Sequence, residues 1–146
     1  MDIKQLATDH LQDSFVMQLA TSRGDQPWVC NVHFFADEDL NLYWMSDPTT
    51  RHSEDIAANP HVAVAVAVNE DMPLIGVQIE GDAEQLEFAD YEDVLHKYAA
   101  RHKREGFVEK ALSGEMPFKL YRLAPRVVQI FDLKNFPKSP KQEWRA

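Results

Sequence analysis

Apolar and polar residues alternate along the chain with two different periods. Near the start, Ile3, Leu6 and Leu11 recur at helical spacing, which predicts an amphipathic helix over the first dozen residues. Most later segments alternate every second residue or are short and β-branched, as strands are. The predicted strands are residues 15–21, 28–35, 42–45, 62–68, 74–87, 119–124 and 126–132, and further helices are predicted at 49–58, 89–102 and 107–112.

Small residues mark two of the predicted strands. The strand 62–68 alternates valine with three alanines, Ala63, Ala65 and Ala67, which leave room for the close approach of another sheet or of a ligand. In the strand 74–87, Gly76 and Gly81 indicate a bulge or a close backbone contact. The strand 28–35 places Val29, Asn31, His33 and Phe35 on one face and Trp28, Cys30, Val32 and Phe34 on the other.

Six or seven antiparallel strands with a few helices predict one domain over residues 1–146, built as a small closed or nearly closed barrel. The segment 134–146 is rich in Pro and Lys and shows no period, so it is interpreted as an extended C-terminal tail. Its apolar residues cannot form a core of their own. We therefore expect the tail to lie across the barrel or a partner subunit, with Trp144 as its anchor.

The net charge of −9 argues against duplex nucleic acid or an anionic membrane as the main partner. No apolar run has the length of a signal peptide or a membrane span, and the only cysteine is Cys30, so a cytoplasmic location is expected. The six histidines lack the spacing of metal ligands, and no metal site is predicted.

The segment after the third strand combines a turn with anion-binding side chains. Asp47 and Pro48 end the strand, and Thr49, Thr50 and Arg51 are predicted to lie on the first turn of the following helix. Unpaired N–H groups, two hydroxyls and a guanidinium at this place favour a phosphate. The alternative is an ordinary helix cap beside a solvated arginine.

The order of these elements resembles that of the pyridoxamine 5'-phosphate oxidase-like family of FMN-binding split barrels. The resemblance rests on the turn Ser46-Asp47-Pro48-Thr49-Thr50-Arg51-His52, on Asn59-Pro60-His61 and on the strand Gly76-Val77-Gln78-Ile79-Glu80-Gly81. It implies a mainly β fold, a six-stranded antiparallel split barrel, and a homodimer that holds FMN in two clefts at its interface. It extends from about residue 15 to residue 87 and is greatest for small uncharacterised members.

The resemblance also implies a set of FMN-binding residues. Family members bind the flavin phosphate with a Ser/Thr-Arg-Lys triplet, which reads Thr50, Arg51 and His52 here, so that an imidazole replaces the lysine. Gln78 is the candidate for contact with the flavin edge, although the oxidases carry their flavin-contacting Gln where this chain has Gly76. The other implied residues are Asn31, Val32, His33, Met45, Ser46 and Thr49. His33 is equally well read as a donor to the flavin ring or as an ordinary strand histidine.

Two functions follow from the resemblance. The first is an FMN-dependent oxidoreductase acting on a small molecule, in which the flavin carries the redox chemistry. The second is a flavin- or haem-binding protein without turnover. The oxidases carry an Arg-x-His substrate motif near the C-terminus, whereas this chain has Lys141-Gln142-Glu143-Trp144-Arg145, so oxidation of pyridoxamine phosphate is not predicted. No catalytic residue is assigned.

Overall fold

The computed structural model describes all 146 residues and contains four α-helices and eight strands. The helices are α1 (Ile3–Gln12), α2 (Arg51–Ala58), α3 (Glu92–Arg101) and α4 (Phe107–Ser113), and a 3₁₀ turn spans Phe88–Asp90. The strands are β1 (Val16–Arg23), β2 (Gln26–His33), β3 (Phe35–Ala36), β4 (Leu42–Ser46), β5 (His61–Asn69), β6 (Ile75–Leu86), β7 (Lys119–Asp132) and β8 (Lys141–Arg145). None of the helices combines the length and apolar character that crossing a bilayer requires.

The strands form one antiparallel sheet in the order β2-β1-β5-β6-β7-β4-β3, and β8 pairs with β7. The sheet curls into a half-barrel, in which β7 pairs with two different strands along one of its edges. Its first half pairs with β4 and its second half with β8, while β6 runs along almost its whole length. The predicted strand 28–35 is divided: β2 ends at His33, and β3 turns away to pair with β4.

A bulge in β7 replaces the predicted break between two strands. Residues 119–132 form one continuous strand, in which Glu80 pairs with Val127 but Gly81 pairs with Pro125, so Arg126 is the extra residue. Gly81 permits this bulge because a Cβ at that position would lie 2.1 Å from the carbonyl oxygen of Ala124. The prediction of a bulge or close backbone contact in β6 is therefore confirmed.

The main core lies inside the curled sheet and is closed at one end by α1. The alternating valines of β5 point inward, as do Trp44 of β4 and Tyr121 of β7, whose rings stack with centroids 5.8 Å apart. The predicted helix α1 is confirmed, and its Ala7 and Leu11 are buried in this core. A smaller core joins α3 to α4 through Leu95, Tyr98, Phe107, Val108 and Ala111.

The segment 134–146 contains a strand that the sequence pattern did not indicate. Strand β8 extends the sheet, and Trp144 packs partly buried against the main core, with the Lys4 ammonium 5.5 Å from the centre of its ring. Buried Asp132 holds the start of the segment, since it accepts hydrogen bonds from the Asn135 backbone and side chain at 2.8 and 2.7 Å. The segment is thus tied to the barrel at both ends.

Candidate functional site

Asp47 organises the turn that follows β4. Its Oδ1 accepts hydrogen bonds from the backbone N–H and the hydroxyl of Thr49, at 2.8 and 2.7 Å, and these bonds hold the pKa of the Asp47 carboxyl below its usual value. Thr50 is the N-cap residue, and α2 begins at Arg51. The prediction that Thr49 and Thr50 lie on the first helical turn is therefore wrong, because Asp47 draws both residues into the turn ahead of the helix.

Three hydroxyls and one imidazole meet at this turn, and we call Ser46, Thr50, His52 and Ser53 the hydroxyl cluster. Ser46 Oγ lies 2.7 Å from His52 Nε2, and Thr50 Oγ1 lies 3.4 Å from the same nitrogen and 2.7 Å from Ser53 Oγ. Thr50 Oγ1 also donates to the carbonyl oxygen of Asp47 at 2.8 Å. Burial lowers the pKa of His52, and the nearby Asp55 carboxylate opposes that shift, so the neutral imidazole predominates at pH 7.

Arg51 lies between Thr50 and His52 in the chain, but its side chain contacts Trp28. Its guanidinium carbon is 4.1 Å from the centre of the Trp28 ring on β2, and it forms no ion pair. It lines a cavity of about 410 Å³ together with Arg23, Gln26, Glu54 and Asp55. The guanidinium therefore lies over an aromatic ring, and none of its N–H groups is paired with a carboxylate of the protein.

A buried carboxylate fixes α2 against the sheet. Asp55 accepts a hydrogen bond from Thr21 Oγ1 at 2.9 Å and one from Arg23 Nε at 3.1 Å, both from β1. Sequence reasoning missed Asp55, Ser53 and Trp28. The available signal was that Ser53 and Asp55 occupy positions of a short helix next to apolar Ile56, where a polar side chain needs a buried partner.

Asn31 and Gln78 lie far apart in sequence but in one row on the outer face of the sheet. The register places six residues side by side across β2, β1, β5, β6, β7 and β8: Asn31, Gln18, Ala65, Gln78, Gln129 and Glu143. We call this set the amide row. Gln18 Nε2 donates to Asn31 Oδ1 at 2.9 Å, and most of the row lines an outer-face cavity of about 520 Å³.

The remaining predicted residues have other surroundings. Val32 faces the opposite side of β2 from Asn31 and packs partly buried against the main core, and Met45 packs against the smaller core. His33 stacks on His102 of the helical segment, with ring centroids 4.9 Å apart and an interplanar angle of 12°. Burial lowers the pKa of His102, whose Nε2 donates to the carbonyl oxygen of Phe34 at 2.8 Å. The structure thus brings together Ser46, Thr50 and His52. It places Asn31 and Gln78 in one row on the outer face, separated by Gln18 and Ala65.

Comparison with known families agrees with this architecture. A model of the pyridoxamine 5'-phosphate oxidase family matches residues 3–132. A UPF0306 protein of Photorhabdus laumondii is 30% identical over 86 residues, which are 57% of this chain and 60% of that relative. A UPF0306 protein of Yersinia pseudotuberculosis is 31% identical over 94 residues, 62% of this chain and 64% of the relative. The chain therefore spans somewhat less than two thirds of the length of these curated relatives.

Several solved structures share the fold at low sequence identity. General Stress Protein 26 of Bacillus anthracis has a TM-score of 0.74 at 20% identity, with all of both chains covered. An FAD-binding protein of Mesorhizobium loti has a TM-score of 0.64 at 21% identity, covering 89% of this chain and 94% of that chain. A heme binding protein of Mycobacterium smegmatis has a TM-score of 0.74 at 17% identity, covering 99% and 58% respectively. The predicted split barrel and the family resemblance are confirmed.

Proposed function

The chain belongs to the pyridoxamine 5'-phosphate oxidase family, and from that premise we propose that it binds FMN, with the phosphate at the turn that follows β4. The observation that carries this proposal is the unpaired guanidinium of Arg51, a residue that lies in the chain between Thr50 and His52 of the hydroxyl cluster. A guanidinium without a carboxylate can give a phosphate two parallel hydrogen bonds. The hydroxyls of the cluster are hydrogen-bonded to one another, to His52 and to the carbonyl oxygen of Asp47.

The residues present fit a phosphate at this turn, with one difference from the family pattern. His52 stands where the family carries lysine, and its imidazole lies among hydroxyls instead of projecting a permanent charge. Arg51 then supplies the lasting positive charge, because a guanidinium stays protonated at any physiological pH. We infer that Arg51 provides most of the charge-assisted binding at this site.

We propose that the flavin ring lies on the outer face of the sheet, against Ala63 and Ala65. Their small side chains leave a flat surface, and the amides of Gln18, Gln78 and Gln129 border it with both donors and acceptors. A flavin has carbonyl and N–H groups along one ring edge, which such amides can pair. Bound flavin would supply hydride and electron transfer, while these residues would bind and orient it.

We further propose that a second copy of the chain covers this face as a homodimer. Val16 and Val29 on the outer face are 39% and 58% exposed, which is high for β-branched residues flanking an alanine stripe. A symmetric pairing would bury them and would close the outer-face cavity around the ring. Sedimentation at micromolar concentration should then give a dimer, and a monomer alone would contradict the proposal.

An FMN-dependent oxidoreductase is the activity that we favour, and flavin binding without turnover is the second candidate. The two differ in one observable: NADH or NADPH should bleach the yellow colour of an oxidoreductase that uses either donor. The visible spectrum also separates flavin from haem, which matters because structures of this fold include both an FAD-binding and a heme binding protein.

The phosphate site is tested by comparing FMN with riboflavin, which has the same ring but no phosphate. Arg51→Ala removes charge-assisted hydrogen bonds worth about 1.5–3 kcal/mol each, so FMN affinity should fall roughly 10- to 100-fold. Riboflavin affinity should stay unchanged. The matched control is Arg126→Ala, which removes a surface guanidinium paired with Asp82 on another part of the barrel. Equal losses for both ligands would place the damage in the fold or the ring site.

A further inference from the structure

Trp28 is an unusual residue for the place it occupies. It lies near the start of β2, an edge strand of the sheet, opposite buried Thr21. The residue is 40% exposed although it contacts Arg51, the first residue of α2. The ring packs beneath the Arg51 guanidinium at 4.1 Å, so the exposed aromatic face has one specific occupant.

The carboxylates around Arg51 leave its donors free. Asp55 is buried and already accepts hydrogen bonds from Thr21 and Arg23. Glu54 lines the same cavity but forms no ion pair with Arg51. The guanidinium therefore lies over the Trp28 ring, and none of its N–H groups is paired with a carboxylate.

Stacking of this kind reduces the conformational entropy that an arginine side chain loses when a ligand binds. A free arginine side chain loses rotamer entropy when it is fixed in one geometry. An aromatic face that already orders the guanidinium removes part of that loss before the ligand arrives, as preorganisation does generally. A guanidinium that stacks on an aromatic ring can still donate a bidentate pair of hydrogen bonds to an anion from its edge.

We propose that Trp28 is a positioning residue that holds the Arg51 guanidinium ready for the phosphate of a flavin nucleotide. It thereby sets the preference for phosphorylated over unphosphorylated flavin. This inference rests on the proposed function, since it assigns the phosphate to Arg51. It adds a residue of β2, more than twenty positions away in sequence, to a site otherwise contained in the turn after β4.

A double-mutant cycle tests this role. Trp28→Leu should weaken FMN binding about 3- to 10-fold, the scale of a partly exposed cation–π contact, and leave riboflavin binding unchanged. Trp28→Phe keeps an aromatic face and should bind FMN nearly as the wild type does. In an Arg51→Ala background, Trp28→Leu should have no further effect on FMN, because the group that it positions is gone.

The ratio of FMN to riboflavin affinity separates the possible failures. A wild type that binds both ligands equally would overturn the phosphate site itself and the role of Trp28 with it. A preference lost in Arg51→Ala but retained in Trp28→Leu would overturn only the role of Trp28. Equal losses from Trp28→Leu with and without Arg51 would also overturn that role, since a merely structural tryptophan would act independently of the arginine.

Discussion

The turn after β4 and the outer face of the sheet are assembled in opposite ways. The hydroxyl cluster comes from eight consecutive residues, 46–53, and its contacts follow from one turn and one helix start. The amide row draws one residue from each of six strands. Local backbone geometry fixes the first arrangement, whereas the register of the whole sheet fixes the second.

This difference makes the two regions sensitive to different changes. A slip of one residue in any strand pair would turn an amide-row side chain to the opposite face. The hydroxyl cluster would survive such a slip, because β4 and α2 are adjacent in sequence. The turn depends instead on the contacts of Asp55 in α2 with β1 and on the protonation state of His52.

The largest expected effect is on the sheet register, at Gly81. Gly81→Ala brings a Cβ to 2.1 Å from the carbonyl oxygen of Ala124, so the bulge has to open. We expect a loss of about 2–3 kcal/mol in the free energy of unfolding, measured by urea denaturation.

Gly76→Ala on the same strand is the matched control for this change. Its added Cβ would first meet the flexible end of the Gln78 side chain, at 3.3 Å, and then the carbonyl oxygen of Val66 at 3.6 Å. Stability should change by less than about 1 kcal/mol, because relief of the glycine entropy cost offsets a small adjustment. Similar losses in the two variants would mean that the bulge does not set the register.

The sequence predicted local features well and long-range ones poorly. The helix α1 and the alternating strand β5 were predicted correctly because their signals lie within one segment. Strand β8 was missed because Lys141, Glu143 and Arg145 make an exposed edge strand polar, and only Trp144 marks its inner side. Continuity of the chain through the bulge at Pro125 depends on Gly81, forty-four residues earlier, which no local pattern reveals.

The contacts of the site residues also divide into local ones and long-range ones. The pairing of Trp28 with Arg51 and of Asp55 with Thr21 needs β1 and β2 to lie beside α2, and that neighbourhood exists only once the barrel has curled. Sequence spacing cannot supply such contacts, because they join segments whose separation is set by the intervening fold.

A smaller effect is expected at the attachment of α2. Asp55→Asn keeps the shape of the side chain but puts an amide N–H₂ against one of its two donors, Thr21 or Arg23. We expect a loss of about 1–2 kcal/mol in unfolding free energy, most of it from the buried Thr21 hydroxyl, since the Arg23 side chain is 54% exposed and its charge is screened. Glu54→Gln, on an exposed position of the same helix, is the control and should stay within about 0.5 kcal/mol of wild type. If both variants lost the same unfolding free energy, Asp55 would not be the residue that holds α2 against β1.

The smallest expected effect concerns the imidazole of the hydroxyl cluster and appears only as a pH dependence. Burial holds the pKa of His52 below its usual value in the folded protein, so the unfolded chain binds this proton at a higher pH than the folded chain does. Stability should therefore fall as the pH drops below about 6.5, the usual histidine pKa, and continue to fall until the folded-state pKa is passed.

His52→Gln removes this contribution while an amide keeps a polar contact with Ser46. Urea unfolding of wild type and variant at a series of pH values from 8 to 5 should show a shallower fall in stability for the variant. Because burial shifts the pKa of His102 in the same direction, His102→Gln should flatten the profile as well, and the double variant should flatten it further. At pH 8 both imidazoles are neutral in both states, so any difference there reports only the loss of contacts. A His52→Gln profile parallel to that of wild type over the whole range would mean that the imidazole titrates alike in the folded and unfolded chains, and that the hydroxyl cluster does not exclude its charged form.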